Sequence, residues 1–145
     1  MELVQLGFDK IMQMGTYTVI VLKAVLSKET GESSEPTKFA IYVESSVGKT
    51  LQMYLTDTEK ERPQTHDLVT SIFKGLDIHV KQIVINDLQD TIYHARLFLE
   101  QQKGDLRHIL EIDCRPSDAI TLALMHNAPV FCAKEVLEKV IPLVE

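Results

Sequence analysis

At 145 residues the chain is long enough to bury a substantial core and short enough to form one domain, expected over residues 1–145. Hydrophobic residues make up 45% and charged residues 25%, ordinary for a globular protein, and no apolar run approaches the roughly 20 residues needed to span a membrane. The net charge of -6 argues against a plain basic nucleic-acid-binding face, although bound divalent cations can supply the charge a polyanion needs.

In chain order, Val4, Leu6 and Phe8 alternate and predict a strand over 3–8. The opening Met1-Glu2-Leu3-Val4 has no basic segment ahead of an apolar core, so no signal peptide is expected. A Val-, Ile- and Tyr-rich segment predicts a long strand over 16–26, and Gly31, Ser33, Ser34 and Pro36 predict a loop over 28–37. A third strand follows over 38–43. The period then changes: Val47, Leu51, Tyr54 and Leu55 share one helical face. A charged connector over 56–62 leads to Thr65, the expected cap of a helix over 66–76 with Leu68, Val69, Ile72, Phe73 and Leu76 as its core stripe. Strands over 78–86, 92–99 and 107–113, separated by turns, read as an antiparallel meander. A helix over 117–127, a short strand over 130–132 and a helix over 134–140 stopped by Pro142 complete the chain. The expected class is α+β, a mixed and largely antiparallel sheet with a central meander packed by about four helices, in two related halves.

The halves share a motif. Arg62-Pro63-Gln64-Thr65-His66-Asp67-Leu68 and Arg115-Pro116-Ser117-Asp118-Ala119-Ile120 each run from Arg-Pro through a hydroxyl residue and an Asp into a helical pattern. Helix capping accounts for the Pro, Ser or Thr and Asp, with Thr65 and Ser117 as caps and the carboxylates favoured by the helix dipole. Capping does not account for Arg62 and Arg115, whose guanidinium forks suit carboxylate or phosphate. Asp113, Arg115 and Asp118 are expected to meet at one strand-to-helix corner, either as an internal ion-pair network or as carboxylates for a metal beside a phosphate-facing Arg. His66 adds a candidate general base or ligand. Gly48-Lys49-Thr50 is not a phosphate loop, because position 43 is Val rather than Gly. The charged run over 59–62 reads as a solvated face. Cys114 and Cys132 fit no zinc spacing and read as buried free thiols in a reducing cytoplasm.

Those two motifs, with Ile112-Asp113-Cys114 leading the second and Ala128-Pro129-Val130-Phe131 after it, resemble the bifunctional nuclease (BFN) domain family. The match is strongest from about residue 38 to 140. The resemblance implies a compact α+β homo-oligomer with nuclease activity on DNA and RNA of low specificity, and a meander with open edges favours pairing into a dimer. The matching polar positions are Arg62, Thr65, His66, Asp67, Asp113, Arg115, Ser117 and Asp118. On this expectation Asp113 and Asp118, with Asp67, hold one or two divalent ions, magnesium or manganese. Arg62 and Arg115 face the phosphate, and His66 or a metal-bound water handles the proton. The alternative is a non-catalytic domain that binds a protein partner or a small anion. Two positions depart from the family: Val47 stands where it usually has Glu, and Met125 where it tends to have Arg. If that Glu and Arg belong to an active site, this chain is a weak or inactive member; if they form an ion pair between elements, Val47 and Met125 are its coordinated apolar replacement, the account favoured here.

Overall fold

Seven strands form one sheet in the order β3-β2-β1-β7-β4-β5-β6. The structure, a computed structural model, describes residues 2–25 and 36–143. Most of the loop expected over 28–37 therefore lies outside the described residues. The elements are β1 (Leu3–Met14), β2 (Tyr17–Ala24), β3 (Lys38–Glu44), α1 (Ser45–Leu55), α2 (Thr65–Gly75), β4 (Ile78–Gln89), β5 (Ile92–Lys103), β6 (Leu106–Cys114), α3 (Pro116–Met125), β7 (Val130–Ala133) and α4 (Lys134–Lys139). The α+β class with a mixed, largely antiparallel sheet is as the sequence implied.

Two antiparallel three-strand meanders, β1-β2-β3 and β4-β5-β6, are joined by β7. β7 runs antiparallel to β1 and parallel to β4, and is the one parallel step in the sheet. The second meander thus ends the sheet rather than occupying its middle. β1 reaches six residues further than expected. It pairs with β2 almost to Gly15, whose φ of 70° closes the hairpin, and a bulge at Asp9 interrupts the alternation that would have shown it.

The sheet curls. Phe39 on β3 stacks on Tyr93 of β5 with ring centroids 5.8 Å apart, although four strands lie between them in sheet order. The concave side holds α3, which is buried over most of its length from Ser117 to Ala123. Ile20, Leu51, Ile83, Leu97, Ile120 and Val136 join it in one apolar core. α2 differs. Of its expected stripe only Phe73 is buried and Val69 packs partly against the core, while Leu68, Ile72 and Leu76 are exposed.

Gly48 is a packing residue. A Cβ there would overlap the side chain of Thr18, which is fully buried on β2 and donates its hydroxyl to Gln13 Oε1 at 2.8 Å. Only a glycine lets α1 approach β2 this closely.

Candidate active site

The first turns of three helices meet at one open cleft of about 460 Å³. Ser46, Val47 and Thr50 line it from α1, Pro63 to His66 from the start of α2, and Arg115 and Asp118 from the start of α3. Each helix start follows from local chemistry. α1 begins directly after β3, with extended Glu44 as its N-cap. α3 begins with Pro116 at its first position, where the missing N–H costs no helical bond. α2 begins at Thr65, and Asp67 reaches back to accept a hydrogen bond from the Gln64 backbone N–H at 2.8 Å.

The expected caps therefore shift. Gln64 and Arg115 hold the N-cap positions, not Thr65 and Ser117. Proline favours the extended conformation in the residue before it, so the helix after Arg115-Pro116 starts at the proline itself. Ser117 is buried in the first turn, and its carbonyl accepts the Thr121 hydroxyl at 2.8 Å. The cap side chains of α1 and α3 make no hydrogen bond to their first-turn amides. Two sets of N–H groups thus remain at the cleft, and the three helix dipoles present their positive ends there.

Asp118 is the centre of the site. Arg115 donates from Nε to Oδ2 at 2.8 Å and from Nη2 to Oδ1 at 3.2 Å. His66 Nε2 stands 2.9 Å from Oδ1. Burial pushes the Asp118 carboxyl up, but the hydrogen bonds from Arg115 and His66 outweigh it, and its pKa lies below the usual carboxylate value. The same bond raises the Arg115 pKa. Arg115 is largely exposed and spends two of its five N–H donors on Asp118. It also lines a second cleft of about 340 Å³ with Tyr42, Glu44, Val47, Ile92 and Tyr93. Arg115 and Val47 line both clefts.

The other expected residues are placed apart from this trio. Both carboxylate oxygens of Asp67 accept from Lys60 Nζ, at 2.8 and 2.7 Å, and this holds its pKa down. Lys60 was hidden in a charged run that read as a solvated face, and nothing in the spacing marks it. Arg62 is exposed and does not line the cleft. Asp113 is exposed on β6, in register with Arg96. Among the described residues no three His, Cys, Asp or Glu side chains gather into a metal-binding group. Asp67, Asp113 and Asp118 thus do not form one ligand set.

α2 is tied to α3 twice, by His66 to Asp118 and by Thr70 Oγ1, 3.1 Å from His126 Nε2. Burial lowers the His126 pKa, which suits a neutral imidazole in that contact. Val47 and Met125 prove to be separate. Val47 lies with Arg115 at the cleft, whereas the Tyr54 hydroxyl at the other end of α1 donates to Leu124 O, beside Met125. α1 and α3 therefore lie side by side in the same direction, with Val47 and Met125 toward opposite ends. A coordinated ion-pair replacement does not fit this arrangement. Cys114 and Cys132 are unpaired, and burial pushes their pKa values up to about 11 and about 12.

Two relatives from strains of Mycobacterium tuberculosis, both described as uncharacterized proteins, are each 27% identical over 97 residues. That alignment covers 67% of this chain and 55% of theirs, so the chain spans about half the length of the curated relatives it matches. The family model described as the bifunctional nuclease domain matches residues 24–143, which include all three helix starts of the cleft and every member of the His66–Asp118–Arg115 trio. The chain belongs to the bifunctional nuclease domain family.

Proposed function

We propose that the chain is a nuclease of low specificity that hydrolyses phosphodiester bonds of DNA and RNA in the three-helix cleft. The observation that carries this is the convergence of three helix N-termini and Arg115 on the His66–Asp118 pair. Helix N-termini and an Arg fork attract phosphate oxygens even on an acidic protein. Asp118 holds the Nε2–H of His66, which leaves Nδ1 to accept a proton from water as that water attacks phosphorus. The P–O bond to the leaving oxygen then breaks, and that oxygen takes a proton from solvent. For magnesium or manganese the donors do not fit as they stand, since Asp118 is shared by Arg115 and His66 and Asp67 is held by Lys60. The proposal includes a homo-oligomer, supported by the open strand edge at β6, and a reducing cytoplasm, supported by the two unpaired thiols.

The second reading, a non-catalytic domain that binds an anion or a partner, is favoured by one observation: both oxygens of Asp118 are already engaged by its own chain. Cleavage of a labelled single strand, with magnesium, manganese or chelator, separates the two. His66→Gln should lower cleavage by roughly 10²-fold or more while leaving strand binding intact, and Arg115→Ala should weaken both. Cleavage that survives both substitutions in chelator would overturn this site. A folded wild-type chain that binds the strand through Arg115 without cutting it would establish the second reading.

A further inference from the structure

The second cleft beside Arg115 suits a flat, mostly apolar ring. It lies between the edge strand β3 and the hairpin that joins β4 to β5, against the start of α3. At about 340 Å³ it falls at the small end of ligand pockets, which run from roughly 300 to 1,000 Å³. Tyr42 from β3 and Ile92 and Tyr93 from β5 line it, together with Pro116 of α3. Tyr42 and Ile92 are 67% and 64% exposed, large side chains that the fold itself leaves uncovered. Each tyrosine ring is braced by another ring. Tyr42 meets Tyr17 edge to face with centroids 5.7 Å apart, and Tyr93 stacks on Phe39. Rings held in this way lose little freedom when a ligand lies on them.

The charges say which part of a strand enters. Arg115 and Val47 line both clefts, so the two adjoin at these side chains. A phosphate held by Arg115 in the three-helix cleft therefore has its own nucleoside beside the second cleft. The carboxylate of Glu44 also lines that second cleft, close enough to Arg115 to help raise its pKa. Its charge repels a further phosphate and accepts from N–H groups, so the cleft takes the base and not the backbone. Tyrosine faces stack on any base, and the carboxylate adds a preference for a base that carries an amino group. A base paired inside a duplex offers neither its face nor its N–H edge until it is unstacked. We propose that this cleft is a nucleobase subsite: the base next to the phosphate on Arg115 lies against Tyr42 and Tyr93, with Glu44 accepting from its amino group, and the substrate is accordingly a single strand. The subsite rests on the reading of the three-helix cleft as the place where the phosphodiester is held.

The test is binding of short labelled DNA strands by fluorescence anisotropy, in the full chain carrying His66→Gln so that cutting does not interfere. A single strand should bind roughly tenfold or more tighter than a duplex of the same sequence. Tyr42→Ala should remove most of that difference and Tyr42→Phe should keep it. Because the Tyr42 side chain is mostly exposed, the circular dichroism spectrum should not change. The base preference gives a second readout. A strand of cytosines should bind severalfold tighter than one of thymines, and Glu44→Ala should remove that preference. Equal binding of single strand and duplex, or a Tyr42→Ala chain that binds like its parent, would overturn the subsite. The nuclease reading would then still stand wherever the wild type cuts. Conversely, a wild type that never cuts, together with Tyr42-dependent binding, would sink the nuclease reading and uphold the subsite. Failure to bind either strand would overturn both.

Discussion

Asp118 serves two roles that pull in different directions. Its bonds to Arg115 and His66 hold the starts of α2 and α3 together, and they also orient the imidazole that the proposed chemistry needs. Asp118→Asn keeps the shape but loses the charge. We expect it to cost about 1–2 kcal/mol near neutral pH, discounted because the site is partly open to solvent. The folded pKa of Asp118 lies below the reference of 3.8, so its contribution is present above that value and is lost as pH falls through the folded pKa. Urea unfolding should therefore show wild type and D118N well separated near neutral pH and converging in stronger acid. A gap that stays constant into acid would mean that the carboxylate charge contributes nothing to folding. This link was not legible in the sequence. His66 and Asp118 stand 52 positions apart, and only the packing of α2 on α3 brings them together. The neighbouring Arg115–Asp118 pair was legible as one of two readings of that corner, the ion-pair network, because the two residues stand three apart at a helix start.

At the scale of elements, the meander and the helices were readable from their periods, and the errors have local causes. The strand 78–89 shows its alternation through buried Val80, Ile83 and Ile85, with bulges near Lys81 and Asn86 that the pattern absorbs. α2 was read as a core helix because its stripe is regular, but periodicity shows only that a face is apolar, not what it meets. The two glycines in helices make opposite predictions for the same change. Gly48→Ala drives a methyl group into Thr18 and should cost about 1–3 kcal/mol. Gly75→Ala, at the end of α2 with open space around it and no positive φ, should be neutral or stabilising by up to about 1 kcal/mol. Thermal melts of the two variants check this directly, and equal shifts would contradict the close approach of α1 to β2.

Over the whole molecule, the short strand β7 decides whether there are two halves or one body. Residues 3–6 pair with it on one side and 83–85 on the other, and Cys132 at its centre is fully buried. Long-range pairing of this kind leaves almost no trace in a four-residue segment, so the sequence suggested related halves without showing what joins them. The prediction is a single cooperative transition. Denaturant unfolding followed by circular dichroism and by exposure of the Cys132 thiol should give coincident midpoints. Separated midpoints would make the meanders independent units. Thr18 fixes α1 from behind, and α1 supplies Ser46, Val47 and Thr50 to the cleft wall. The gauge of the cleft is therefore set by a buried hydroxyl on β2 that lies outside its lining. An engineer seeking a wider cleft should begin at Thr18, by trimming the residue on which the helix rests, and leave the cleft's own side chains in place.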